Sequence, residues 1–407
     1  MARLSGFWGR SLRGLFAASA ALSLAACNAG GGGRAARVQP SAPVQPEAAP
    51  AQPGDGTTIG AGSVRVALLL PLTGPGQSAF AARSMRNAAE LALNEFQGPD
   101  LTILVKDDKG TADGAREAAQ KALDEGAELI MGPLFAPSVQ AAGQVARQAG
   151  RPVIAFSTDS GVAARGVYLL SFLPQPEVDR IVDYASGQGK RSFAALIPET
   201  TYGGVVEAQF REAAARRGAR VVAVERYPAG QPQAAVERIA PLVAGAAPQA
   251  DALFVPDNPD GLAAVGQALQ ASGFNPQRVK PLGTSAWDDP RAFRVAAFQG
   301  GWFAAPDTAG FPTFADKYRA RFNADPARLA TLSYDAVSLA AALTRTQGSQ
   351  RFAEPVLTSA SGFNGVNGVF RFKPDGGNDR ALTVLEIRNG AAAPVSPAPK
   401  ALNGSGM

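Results

Sequence analysis

The seven residues Val64-Arg-Val-Ala-Leu-Leu-Leu70 are almost all apolar, and Pro71 stops the run. A strand this apolar is buried on both faces, which happens where helices cover both sides of a parallel sheet. Leu101 to Val105, Glu128 to Met131 and Pro152 to Phe156 read as further strands. Between the first two, Ala81, Met85, Ala88, Ala92 and Phe96 keep helical spacing, with Ser78 placed to cap that helix. Thr111 starts a second helix that Gly126 ends, and Ser138 opens a third. This βαβα order predicts an α/β fold with a mainly parallel sheet. A second series follows Pro174: strands at Ser192 to Ile197, Val221 to Glu225 and Asp251 to Val255, helices at Gly203 to Arg217 and Ala234 to Val243. Three strands end alike, at Leu70-Pro71-Leu72-Thr73-Gly74, Ile197-Pro198-Glu199-Thr200 and Val255-Pro256-Asp257-Asn258. In each, proline halts the ladder and a polar loop leads into a helix. Two similar doubly wound lobes are expected, with any ligand at the carboxyl ends of the strands.

Composition removes several kinds of chemistry. The chain has no histidine and one cysteine, Cys27, so His-based metal sites, Ser-His-Asp triads and Cys-His pairs are excluded within one chain. No catalytic residue, metal or cofactor is expected. The formal net charge of +5 includes Arg3, Arg10 and Arg13 near the start, and no block of like charge points to nucleic acid. Those arginines flank the apolar stretch Leu15 to Ala26, which is too short to span a bilayer and reads as a secretory signal peptide over 1–26. Leu24-Ala25-Ala26-Cys27 resembles the lipobox of bacterial lipoproteins, which implies a lipidated Cys27 and a periplasmic, membrane-tethered protein. Asn28 in place of aspartate implies the outer membrane of a Gram-negative host. Residues 27–62, rich in Gly, Pro and Ala, read as a disordered linker, and 391–407 as a disordered tail.

Further segments carry a more specific likeness: Val66-Ala-Leu-Leu-Leu-Pro-Leu-Thr-Gly74, Leu129-Ile-Met-Gly-Pro133, Val153-Ile-Ala-Phe-Ser157, Thr201-Tyr-Gly-Gly204, Ser333-Tyr-Asp-Ala-Val337 and Phe363-Asn-Gly-Val-Asn-Gly-Val-Phe-Arg-Phe372. In this order and at these spacings they resemble the leucine/isoleucine/valine-binding-protein family, the type 1 periplasmic-binding fold. The resemblance implies two lobes, 63–171 plus 305–364 and 172–304 plus 365–390, joined by three crossings, with a ligand cleft between them and no enzymatic activity. The lipobox, the linker and Gly132-Pro-Leu-Phe-Ala-Pro137 further resemble penicillin-binding-protein activator lipoproteins. The implied partners are a peptidoglycan synthase or, alternatively, an ABC permease handling amino acids or related small molecules.

Candidate ligand residues lie at the strand ends. Thr73 and Gln77 flank a turn in which Gly74, Gly76 and Ala79 fit a weak G-x-G-x-x-A pattern; Pro75 removes a donor there, so a cleft-lining turn is the better reading. Phe135, Ala136 and Ser138 lead into a helix N-terminus, where free amides can hold a carboxylate, although Ser138 can equally be a cap and Phe135 core. Ser157, Thr158 and Asp159 close the fourth strand, where the resemblance implies a grip on a ligand carboxylate; Asp159 suits an ammonium group instead. Tyr202 matches a family tyrosine that enters the cleft from the second lobe, and Asp257, Asn258, Ser285 and Trp287 occupy the next strand ends. In amino-acid-binding members a serine sits near Phe135 and Ala136, and an acid sits near Ser285, so the amino-acid clamp is altered here. The doublets Asp107-Asp108 and Asp288-Asp289 read as solvated turn ends rather than catalytic pairs.

Overall fold

A computed structural model describes residues 57–96 and 98–402. The expected signal peptide, Cys27 and most of the expected linker lie outside the described residues. Among the described residues, no helix is long and apolar enough to cross a membrane.

The first lobe is built on a six-stranded sheet ordered Thr58–Ile59, Leu101–Asp107, Val64–Leu70, Ile130–Met131, Val153–Ala155, Val167–Leu169. All neighbours are parallel except the edge strand Thr58–Ile59. One face packs on the helices Gln77–Glu95 and Ala330–Thr346, the other on Ala112–Asp124 and Ala136–Gln148. Alternation along each strand decides which face a residue serves: Val66, Leu68 and Leu70 join one core, Ala67 and Leu69 the other.

The second lobe repeats the plan with seven strands: Ala391–Ser396, Leu382–Arg388, Trp302–Pro306, Lys280–Gly283, Ala252–Phe254, Ser192–Pro198 and Arg220–Tyr227. The last five are parallel, whereas Leu382–Arg388 runs antiparallel to both of its neighbours. Helices Pro174–Gly187 and Thr201–Arg216 cover one face, Gln233–Val243 and Pro259–Ala271 the other. The expected pair of doubly wound lobes, with mainly parallel sheets, is therefore present.

The structure corrects several boundaries. Residues 57–62 are not all linker, because Thr58–Ile59 pairs with Ile103 and Leu104. The return to the first lobe follows Pro306, since Trp302–Pro306 belongs to the second sheet. Residues 365–380 stay with the first lobe: Phe363–Gly365, Gly368–Phe372 and Asn378–Arg380 form a small antiparallel sheet, and Phe370 and Phe372 enter the first core. The 391–407 segment is not wholly a tail, because Ala391–Ser396 is an edge strand of the second sheet. Neither Ser78 nor Ser138 caps a helix. The Ser78 hydroxyl bonds Pro75 O at 2.6 Å, and Ser138 is buried inside its helix with an unpartnered hydroxyl.

The chain thus passes between lobes near Leu170–Leu173, Pro306–Asp307 and Arg380–Leu382. Side-chain amides join these passages. Asn378 Nδ2 donates to Leu169 O at 2.7 Å and Ser171 O at 3.0 Å, and Asn367 Nδ2 donates to Asp307 O at 2.9 Å. Replacing Asn378 by alanine strands two buried carbonyls. Asn378→Ala is expected to lower unfolding free energy by about 1–3 kcal/mol, read as a shifted urea midpoint at unchanged slope. An unshifted midpoint contradicts this role.

Candidate functional site

The strand ends of the two lobes frame a cavity of about 470 Å³. The first lobe contributes Thr158, Asp159 and Ser160, the first crossing contributes Phe172, and the second lobe contributes Glu177, Tyr202, Val205, Ser285 and Ala286, among others.

Local sequence places each of these groups. Ser157 is buried, and its hydroxyl accepts from Asp159 N at 3.1 Å. Asp159 caps a short 3₁₀ turn by accepting from Gly161 N at 2.8 Å, and the Ser160 hydroxyl receives Gln175 Nε2 at 2.7 Å. Thr158 is left exposed at the apex of the loop. In the second lobe, Pro198 ends a strand and Thr200 caps the next helix, accepting from Gly203 N at 3.0 Å. Only glycine fits at 203, because a Cβ there would stand 1.9 Å from Pro198 O. This tight start presents Tyr202 to the cavity, and its hydroxyl shares a 2.7 Å hydrogen bond with Thr284 Oγ1. Burial raises the Tyr202 phenol above its ordinary range, and the nearby Glu177 charge adds to that rise.

Glu177 is the group that the sequence reading missed. It lies in the first turn of Pro174–Gly187, is only 3% exposed, and lines the cavity. Its Oε2 accepts from Ser285 N at 2.9 Å. No cation pairs with it among the described residues. Burial pushes its carboxyl up to about 7, against the opposing effect of the Ser285 hydrogen bonds.

The other expected residues are distributed differently. Thr73 bonds Asp107 at the end of the adjacent strand, with 2.5 Å between Oγ1 and Oδ2, and Gln77 is exposed at a helix start; neither lines the cavity. Phe135 is exposed beside Gly110, Ala136 packs on the core at its helix start, and Ser138 is enclosed. Asp257 is buried and accepts from the Tyr227 hydroxyl at 2.6 Å, while Asn258 caps a helix through Asp260 N and Gly261 N. Trp287 is not a cleft residue: it is fully buried, packs against Phe298 in a tilted pair with ring centres 4.7 Å apart, and donates from its indole nitrogen to Val255 O at 2.8 Å. Asp108 is not a solvated turn end either. It is enclosed, and burial moves its carboxyl up to about 6. The cavity therefore gathers Thr158, Asp159, Tyr202 and Ser285 from the expected set. No group of three or more acidic or cysteine ligands suited to a metal occurs among the described residues.

The fold and this interlobe cavity define a bilobal binding protein. The chain belongs to the periplasmic binding protein family, whose sequence model matches residues 63–392. No relative matches it among curated proteins. Similar solved structures include a protein provisionally described as a branched-chain amino acid ABC transporter from Rhodospirillum rubrum. It is 24% identical, with 82% of this chain and 99% of that one covered and a TM-score of 0.72. A branched-chain amino acid ABC transporter periplasmic ligand-binding protein from Burkholderia xenovorans LB400 is 15% identical, covering 83% and 96%, with a TM-score of 0.65. LivJ from Streptococcus pneumoniae, a branched-chain amino acid transporter substrate-binding protein solved with isoleucine, is 21% identical, covering 82% and 99%, with a TM-score of 0.54.

The raised Glu177 carboxyl has a stability consequence. The folded chain holds this proton more tightly than the unfolded chain, so the group lowers stability as pH rises from 4.5 to about 7. The full cost above that range is about 3 kcal/mol. Glu177→Gln keeps an acceptor for Ser285 N without the charge. Relative to the parent, this variant is expected to gain stability between pH 5 and pH 8.5, followed by urea unfolding at both values. An equal difference at the two pH values contradicts the assignment.

Proposed function

We propose that this chain is a non-enzymatic binding protein of the periplasm that captures a small molecule in the cavity between its lobes. The observation that carries this reading is the convergence of hydroxyl, aromatic and carboxylate groups from both lobes on one cavity of about 470 Å³. That volume suits a molecule of amino-acid size or somewhat larger. The apolar surfaces of Phe172, Pro174, Val205 and Ala286 suit an aliphatic or aromatic body, and Tyr202 offers both a ring face and a hydroxyl. Similar solved proteins are described as components of branched-chain amino acid transporters, which supports a solute-binding partner for an ABC permease. In this reading the chain is exported through residues 1–26 and held at the membrane by a lipidated Cys27, with Asn28 favouring the outer membrane.

A second reading draws on a separate observation. Phe135, within Gly132-Pro-Leu-Phe-Ala-Pro137, is one of two large hydrophobic side chains standing exposed among the described residues. An outward aromatic in the segment that resembles penicillin-binding-protein activators supports docking on a peptidoglycan synthase. Affinity capture from membranes separates the two readings: recovery of a synthase, lost in Phe135→Ala, favours the activator, and recovery of a permease favours the transporter.

For ligand capture, Tyr202→Ala is expected to weaken binding at least tenfold in calorimetry against amines, amino acids and carboxylic acids; its unfolding midpoint falls as well, through the lost ring packing and the lost Thr284 hydrogen bond, so binding is compared where urea titration shows the variant folded. If no compound of the panel binds, and native mass spectrometry of the full chain finds no retained molecule, the small-molecule reading fails.

A further inference from the structure

The charges of the cavity are one-sided. Its lining includes two carboxylates, Asp159 and Glu177, and no lysine or arginine, in a chain without histidine. Asp159 is partly committed to Gly161 N and stands exposed at the rim. Glu177 is nearly enclosed, and its hydrogen-bond donors come from Ser285 alone. An enclosed carboxylate without a cation is costly unless some group neutralises it. Ser285 holds one oxygen toward the end of the strand Lys280–Gly283, so the carboxylate has a fixed position on the cavity wall.

Resting on the reading of the cavity as a ligand site, we infer that Glu177 is the anchor for a protonated amine, and that the ligand is an amine-bearing molecule with an apolar body. The ammonium supplies the missing counter-charge and donates to the carboxylate. Phe172, Val205 and the Tyr202 ring receive the body. Above neutral pH, where Glu177 is ionised, an anion without an amine meets two carboxylates and no cationic side chain, so it is rejected.

The titratable groups around Glu177 agree with this. Tyr202 faces it from the helix Thr201–Arg216 and stays neutral, Asp159 lies on the opposite lobe, and Asp257 acts on Tyr202 from the neighbouring strand end. Burial keeps Glu177 largely protonated at pH 6. An arriving ammonium ionises it, and the carboxyl proton passes to buffer. Binding below neutrality therefore releases about one proton per ligand, and binding at pH 8.5 releases none.

The test is calorimetry at pH 8.5 on the full chain in mild detergent with three matched probes: 3-methylbutylamine, leucine and 3-methylbutanoate. Longer alkylamines and phenethylamine extend the amine series. The expected result is binding of the amines and of leucine, no binding of 3-methylbutanoate, and at least tenfold weaker amine binding in Glu177→Gln. Repeating the titration at pH 6 in buffers of different ionisation enthalpy is expected to show proton release in the parent and none in Glu177→Gln. Preserved chemical denaturation at pH 6 shows that the variant remains folded. Binding of 3-methylbutanoate, or amine binding unchanged by Glu177→Gln, overturns the inference while leaving a ligand site in place. Silence from amines and leucine also overturns it; extension of that silence to the whole panel of acids and amino acids removes the ligand site itself.

Discussion

The side-chain amide of Asn378 holds the architecture of the cleft. From the strand that leads into the third passage it donates to two carbonyls at the start of the first, Leu169 O and Ser171 O. Asn367, on the same small sheet, grips Asp307 O at the second passage, and Arg180 Nε reaches Leu382 O at 3.1 Å from the second lobe. Three separate strands of chain become one bundle. This matters because a parallel sheet presents its strand carboxyl ends along one edge, and two such edges form a cavity only when the crossings fix them face to face. The crossings are also where any relative movement of the lobes has to be absorbed. Arg380 deepens the connection. Its enclosed guanidinium lies 5.0 Å from the Phe172 ring centre and 5.4 Å from that of Phe370, and Phe172 is itself cavity wall. Burial lowers Arg380 to about 10, against the attraction of Asp335. A guanidinium thus sits behind the wall of the site, placed between the Phe172 ring of the first crossing and the Phe370 ring of the small sheet.

Much of this plan was legible because burial is written into residue type. Strands covered on both faces must be apolar, so Val64–Leu70 and Ser192–Pro198 announced themselves, and threonines before helices at 111 and 200 act as caps through Gly114 N and Gly203 N. The serines at 78 and 138 misled for a physical reason. Gly76 and Pro137 let their helices begin earlier, and Ser138 then falls inside the first turn and faces the core. The edge strand Ala391–Ser396 was hidden by its composition. Small residues and Pro394 look like a tail, yet an edge strand tolerates proline, and Pro394 sits opposite Leu385 beside a register shift.

The site was less legible than the fold because its geometry is set between distant segments. Ser285 and Trp287 are two residues apart, and one short 3₁₀ turn sends the first to the cavity and the second into the core. The indole decides it, because its ring finds Phe298 and Phe303 and its nitrogen finds Val255 O. Glu177 carried no local signal. Preceded by Pro174 and Pro176, it looks like an acid in the first turn of a helix, a common place for one. Only the folded chain brings it to Ser285, 108 residues away.

Relatives at 15–24% identity share the fold, and a shared fold does not carry a shared ligand. What distinguishes members of such a family is the set of side chains at the strand tips. Here that set is short of positive charge and holds an enclosed acid, an arrangement that lowers the stability of the empty protein above neutral pH. An enclosed acid kept at such a cost, in a wall whose other groups are neutral except Asp159 at the rim, is explained by what it meets in the cavity rather than by packing. Ser285 N, which fixes the carboxylate, cannot neutralise it, because a backbone amide supplies a hydrogen bond and no net charge. Position and charge are therefore provided separately: the fold supplies the first, and above neutral pH, where no proton neutralises the carboxylate, the proposed ammonium ligand supplies the second.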